Sequence, residues 1–193
     1  YGFFFFFYFG LKYLCDESIF LMKELVLNTD RRIASLTPCV GRCSTVFGDQ
    51  VCRGCRRFNH EVIQWNTYTP EQQSAVWKRL DAQLDLILLP MLPFAHLKHV
   101  EGFIIGKRVR LIDNASQGRK LYHALKICER NKHLTPDSGL GIQSKQVKAI
   151  WQEFEHRVLA LASASYDLAW KRAEGIRHHL VTLPQNKISK ISQ

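Results

Sequence analysis

The chain has 193 residues, 46% of them hydrophobic and 23% charged, a balance that can bury a core and excludes a low-complexity or wholly disordered polymer. Its 27 Lys+Arg against 17 Asp+Glu give a formal charge of +10, which favours an acidic partner such as nucleic acid or an anionic membrane surface. Six cysteines are too few for a disulfide scaffold of this length. Four are clustered while Cys15 and Cys128 stand alone, a pattern suited to a reducing compartment and read as cytoplasmic.

Residues 1–21 open on the apolar run Phe3–Phe7, but Lys12, Asp16 and Glu17 interrupt it well short of the roughly 20 apolar residues a spanning helix needs, so no transmembrane segment is expected. No positive charge precedes the run, as it would in a secretory signal. Met22-Lys23-Glu24 resembles a natural start, and 1–21 then reads as translated upstream or non-native sequence, with a membrane-peripheral anchor as the alternative. The lead to residue 35 is polar, with a strand or turn near Leu25–Leu27.

Pro38 fixes the backbone just before Cys39. The segment 39–55 is expected to be irregular, ordered by a metal rather than by a core. A short helix follows, with Asn59 as N-cap, through Glu61, Val62 and Trp65. Thr69, Pro70 and Gln72 form a capping box with proline at the first helical position, and Val76, Leu80, Leu84 and Ile87 carry that helix to about Leu89, where Pro90 and Pro93 end it.

Residues 94–117 fit either a hairpin, Phe103–Ile105 against Val109–Ile112 around Gly106-Lys107, or helix. Residues 119–131 read as a helix with Leu121, Leu125 and Cys128 on one face, and Thr135–Gly139 as a turn. A long helix runs from about Ser144 to Leu180, its apolar stripe reaching Leu168 and Ile176, with Gly175 a point where it can break. The tail 184–193 is polar, basic and expected to be disordered. The fold class is therefore mostly α. It divides into a lead (1–35), a metal-stapled irregular four-cysteine module with its following helix (36–89), a basic and mostly helical domain (90–183), and the tail.

Cys39, Cys43, Cys52 and Cys55 form a C-x3-C and a C-x2-C pair within 39–55. Four thiolates at such spacing suit one metal centre, either structural zinc or an iron–sulfur cluster, and free or disulfide-forming cysteines are the plain alternative. Gly41 and Gly54, one in each pair, fit tight turns that aim backbone N–H groups at sulfur. Arg57, Glu61 and Trp65 lie four apart. The structural expectation is an Arg57–Glu61 pair with Trp65 packed on the metal loop, and the functional alternative has Trp65 stacking a base while Arg57 meets phosphate.

The frame Pro38-Cys39-x-Gly41-x-Cys43, Cys52-Arg53-Gly54-Cys55-x-Arg57, Glu61-Val62-x-x-Trp65, continuing through Thr69 to Leu80, resembles the short bacterial family called domain of unknown function 1289. Gln72 departs from it, the family more often having an acidic residue there. The resemblance covers about 38–80. It implies an Fe–S protein, the family's usual label, and carries over no catalytic residue.

No G-x-x-x-x-G-K-[ST], H-E-x-x-H or G-x-S-x-G motif is present, so no enzymatic activity is expected. His96, His99, His178 and His179 read as surface histidines rather than ligands. Residues 91–193 carry 17 basic and 8 acidic side chains against 10 and 9 in residues 1–90. Candidate nucleic-acid contacts are Arg53, Arg56 and Arg57 beside the cysteines and Lys107, Arg108, Arg110, Arg119 and Lys120 further on. The leading expectation is an accessory protein that binds RNA, DNA or a nucleic-acid-containing assembly. The alternatives are an Fe–S redox or sensor protein and an adaptor for a protein partner.

Overall fold

The computed structural model describes residues 37–112 and 114–182, with side chains described to residue 179. The expectations for the apolar start, for Cys15 and Leu25–Leu27, and for the tail lie outside the described residues.

Thr37 to Phe58 is irregular apart from one 3-10 turn at Thr45–Phe47, as expected for a segment with few apolar side chains. Its second half is a tight reversal. Val51 and Phe58 form an antiparallel bridge, the Asn59 N–H donates to the Gln50 carbonyl at 2.8 Å, and the Cys52 N–H donates to the Arg57 carbonyl at 2.8 Å. Arg56 closes the reversal with φ 64°, in the left-handed region that a side chain enters at a cost.

Helix α1 (Asn59–Ile63) starts one residue differently from the expectation: its N-cap is Phe58 and not Asn59. The buried Glu61 carboxylate reaches back to accept the Phe58 N–H at 2.8 Å, supplying the cap that Phe58 itself lacks. A 3-10 turn at Trp65–Thr67 leads to α2 (Pro70–Met91). There the capping box is formed on both sides: the Gln72 N–H donates to Thr69 Oγ1 at 3.3 Å and the Thr69 N–H to Gln72 Oε1 at 2.8 Å. The helix does not stop before Pro90 but includes it in the last turn, which still closes by the Leu92 N–H on the Leu88 carbonyl at 3.0 Å.

Residues 97–106 resolve to helix α3 (Leu97–Gly106), and Val109–Ile112 follows as an irregular connection rather than a paired strand. Helix α4 (Gln117–Arg130) is capped by Ser116, whose Oγ accepts the Arg119 N–H at 3.2 Å. A 3-10 turn at Lys132–Leu134 follows, and a second, Pro136–Ser138, stands where the turn is expected. Helix α5 (Val147–Thr182) passes through Gly175 without a break.

The main core gathers Leu84, Leu88, Val100, Ile104, Leu121, Leu125, Cys128 and Phe154 from α2 to α5. A second cluster joins Trp65 to Val76, Trp77 and Leu80 of α2. A third sets Val51 and Phe58 of the cysteine segment against Ala162 of α5, with Leu159 and Tyr166 alongside. The apolar stripe of α5 ends there. Leu168 and Ile176, expected on the buried face, are 51% and 62% exposed, on a stretch of the helix past the core where every described side chain from Asp167 onward is exposed. Among the described residues there is no β-strand, and no helix is long and apolar enough to cross a membrane.

Candidate metal centre

The two cysteine pairs sit on separate turns that press against each other. Gly41 has φ +80°, and its N–H points back at Cys39 Sγ at 3.4 Å. Gly54 lies against the first turn so closely that a Cβ there would come within 2.7 Å of both the Arg42 carbonyl oxygen and Val40 Cγ2. Only glycine allows this approach. Cys52 is buried, and its thiol donates to the same Arg42 carbonyl at 3.7 Å, so the contact of the two turns runs through the second pair's first cysteine.

Sulfur chemistry differs along the set. Burial alone would raise the Cys52 thiol, but backbone N–H groups of Cys55, Ser44 and Gly54 and the Cys55 side chain hydrogen-bond its sulfur and bring it down to about 7. Burial pushes the Cys55 thiol up, opposed by the Arg57 guanidinium, whose Nε donates to Cys55 Sγ at 3.4 Å. Cys43 Sγ pairs with Thr45 Oγ1 at 3.0 Å, and Cys39 is exposed. Cys52 and Cys55 are thus already together. Among the described residues, no three Cys, His, Asp or Glu side chains are gathered closely enough to hold a metal ion. The donor set nevertheless fits a soft ion: four free thiols on two touching turns, with N–H groups already aimed at two of the sulfurs.

Two polar ties hold the second turn and the helix that follows it to α5 and α2. Arg56 Nη2 meets Glu155 of α5 at 2.6 Å, and Arg79 of α2 meets the buried Glu61 carboxylate at 2.5 Å while its guanidinium lies 3.9 Å from the Phe58 ring centroid. Glu61 therefore pairs with Arg79 and not with Arg57, because a carboxylate turned back to cap its own helix faces α2. Arg57 instead covers the Trp65 ring at 4.8 Å, and Trp65 packs with Val76, Trp77 and Leu80.

The basic residues divide in the same way. Arg56, Arg57 and Arg119 are buried; Arg119 pairs with Asp81 and stacks on Trp77. Arg53 and Lys120 form outward pairs with Asp49 and Glu101, each at 2.9 Å, and Lys107, Arg108 and Arg110 are exposed. One basic groove of about 760 Å³ does form. It brings Arg42 and Arg53 of the cysteine segment to Lys126 and Arg130 of α4, over Tyr122 and Trp151, whose rings stack at 6.0 Å; Glu129 and Glu155 are its acidic members. Sequence reasoning did not foresee the roles of Arg79, Glu61 and Glu155, which contact partners 18 to 99 positions away.

Residues 37–84 match the family model described as Protein of unknown function (DUF1289), a quarter of the chain that includes all four clustered cysteines, α1 and most of α2. Comparisons with curated proteins and with solved structures gave no match.

Proposed function

We propose that Cys39, Cys43, Cys52 and Cys55 hold one metal centre, zinc or an Fe–S cluster, whose role is to staple residues 38–58 onto α2 and α5. The observation that carries this is the seating of Gly54 on Val40 and Arg42, which keeps the two cysteine turns in contact. Bound there, the group would supply four strong bonds in place of an apolar core, and the neighbouring arginines would offset the negative charge of the thiolates.

The protein is then a non-enzymatic accessory factor of a reducing, cytoplasmic compartment that binds RNA or DNA. Support comes from the groove in which Arg42, Arg53, Lys126 and Arg130 surround Tyr122 and Trp151, since cations with aromatic platforms suit a single strand. Lys107, Arg108 and Arg110 extend the positive surface, with Lys120 beside them in a pair that phosphate can displace; Arg56, Arg57 and Arg119 act from inside by positioning.

Metal analysis with an absorption spectrum on anaerobically purified protein tests the centre. The expected result is about one zinc, or iron with visible absorbance, lost in Cys52→Ser; full retention of metal by that variant would overturn the four-cysteine assignment. Iron with a reversible reduction wave would favour the redox alternative. Binding to a generic single strand should weaken steeply between low and physiological salt, and no binding at low salt would end the nucleic-acid reading.

A further inference from the structure

We propose that the outer part of α5, about four turns from Asp167 onward, and the groove at its root form a docking site for an acidic amphipathic helix of a partner protein. The inference goes beyond the metal centre and the nucleic-acid reading and depends on neither.

The sequence of α5 keeps one apolar seam past the point where the rest of the described chain covers it. Ala162, Tyr166, Ala169, Ala173 and Ile176 follow at alternating spacings of four and three residues, the period of a helix that packs along another helix. Ala162 is fully buried with Val51 and Phe58, Tyr166 is half-buried, and Ala169, Ala173 and Ile176 are exposed. A helix turned wholly to water has no need of that period. Between the root of the seam and α2 lies a groove of about 520 Å³, with Ala75 and Arg79 on one side and Ala169 and Trp170 on the other. Its aromatic edge is a ladder: Phe58 meets Tyr166 edge-on at 5.2 Å, and Tyr166 stacks with Trp170 at 6.4 Å. Trp170 is nonetheless 56% exposed, so it and Ile176 offer two large apolar side chains to a partner.

The charges beside the seam give the partner's chemistry. Arg177 on one side and Arg172 on the other stand within about 80° of its centre, whereas Asp167 and Glu174, the two carboxylates of this stretch, lie about 120° or more around the helix. Arg172 and Arg177 are exposed, and among the described residues neither is in an ion pair. Glu61, which also lines the groove, is engaged by Arg79 and by the Phe58 N–H. A second copy of this chain would bring these arginines against their own counterparts, a like-charge pairing that opposes assembly. A flat bilayer does not enter a groove between two helices, and alanine at two exposed seam positions gives it little to bury. A partner helix with apolar side chains along one face and carboxylates beside them meets both features, and Ala169 and Ala173 let its backbone come close.

The test uses the full chain and labelled peptides of three heptads, read by fluorescence anisotropy. The first peptide has leucine at the a and d positions and glutamate at e and g. The second has lysine for every glutamate, and the third is the first in scrambled order. The acidic peptide should bind with Kd below about 100 μM at low salt, at least about tenfold more tightly than either control. Ile176→Glu and Ala169→Glu should each weaken it at least about tenfold at unchanged melting temperature. Leu168→Glu adds the same charge at an exposed site on another face of the helix and should leave binding within about twofold. Arg172→Glu with Arg177→Glu should reverse the preference, so that the lysine peptide binds and the acidic one does not. The proposal is overturned if the acidic peptide fails to bind up to about 1 mM, or if the scrambled peptide binds equally well, which would mark charge alone. It is also overturned by self-association in sedimentation that Ile176→Glu removes, which would make a second copy the occupant. Flotation with phosphatidylserine vesicles that Ile176→Glu removes would overturn it in favour of a membrane.

Discussion

In the helical part, Leu88, Val100, Ile104, Leu121, Leu125 and Phe154 are withdrawn from water by neighbours on other helices, whereas the apolar residues that Thr37–Phe58 buries are only Pro38, Val51, Cys52 and Phe58. The first region has a core that propensity and hydrophobic periodicity can assemble unaided. The second is attached through single contacts: Arg56 to Glu155, Phe58 to Arg79 and Ala162, and the Tyr166 hydroxyl to Gln50 at 2.9 Å. A segment of this kind has too little apolar area to offset its own ordering entropy, which is the physical case for a metal staple. What the contrast teaches is that, on the proposed metal centre, loss of metal and loss of core should be separable events in one chain.

The largest effect expected is on the core side. Phe154→Ala should cost about 3–5 kcal/mol and lower the melting temperature of all helices together, because Phe154 is 1% exposed at the meeting of α4 and α5. A change confined to the cysteine segment would blur the distinction. Next comes the joint between the regions: Arg79→Met strands the Glu61 carboxylate and should cost about 2–4 kcal/mol, read by denaturant unfolding, with the cysteine segment losing protection before α2 and α4.

A pH experiment sharpens the comparison from inside the helical part. His123 is held near 4 when folded and would titrate near 6.5 when unfolded, so the unfolded state takes up the proton first as pH falls. The His123 contribution to stability should therefore be constant above about pH 7 and decline by up to about 3 kcal/mol between pH 6.5 and 4, a limb that His123→Gln should flatten. The smallest stability effect is at the surface. Arg53→Ala removes a pair whose arginine is 70% exposed and should change stability by less than about 0.5 kcal/mol. On the nucleic-acid reading, the same variant should lower the salt slope of binding by about one unit.

Local signals were the legible ones. The Thr69–Pro70–Gln72 box, the face of α4 carrying Leu121, Leu125 and Cys128, and the irregularity of 39–55 follow from neighbours in sequence and stand as read. Pairings set by tertiary competition were not legible. Glu61 prefers Arg79, 18 positions away, to the nearer Arg57, because capping at Phe58 turns it toward α2. Phe103–Ile105 is equally apolar as strand or helix, and only its packing against α4 decides for helix. Leu168 and Ile176 keep the helical period, yet among the described residues they are exposed. The cysteine frame was visible, yet the basic groove was not, since it is assembled from segments that meet only in the folded chain.

Hydrogen exchange on the full chain, before and after treatment with a chelator under reducing conditions, tests the proposed staple most directly. Amides bonded across the cysteine turns, such as those of Cys52 and Arg56, should lose protection, while those of α2 and α4 keep theirs. Unchanged protection at Cys52 and Arg56 without metal, or collapse of α2 and α4 together with them, would contradict it.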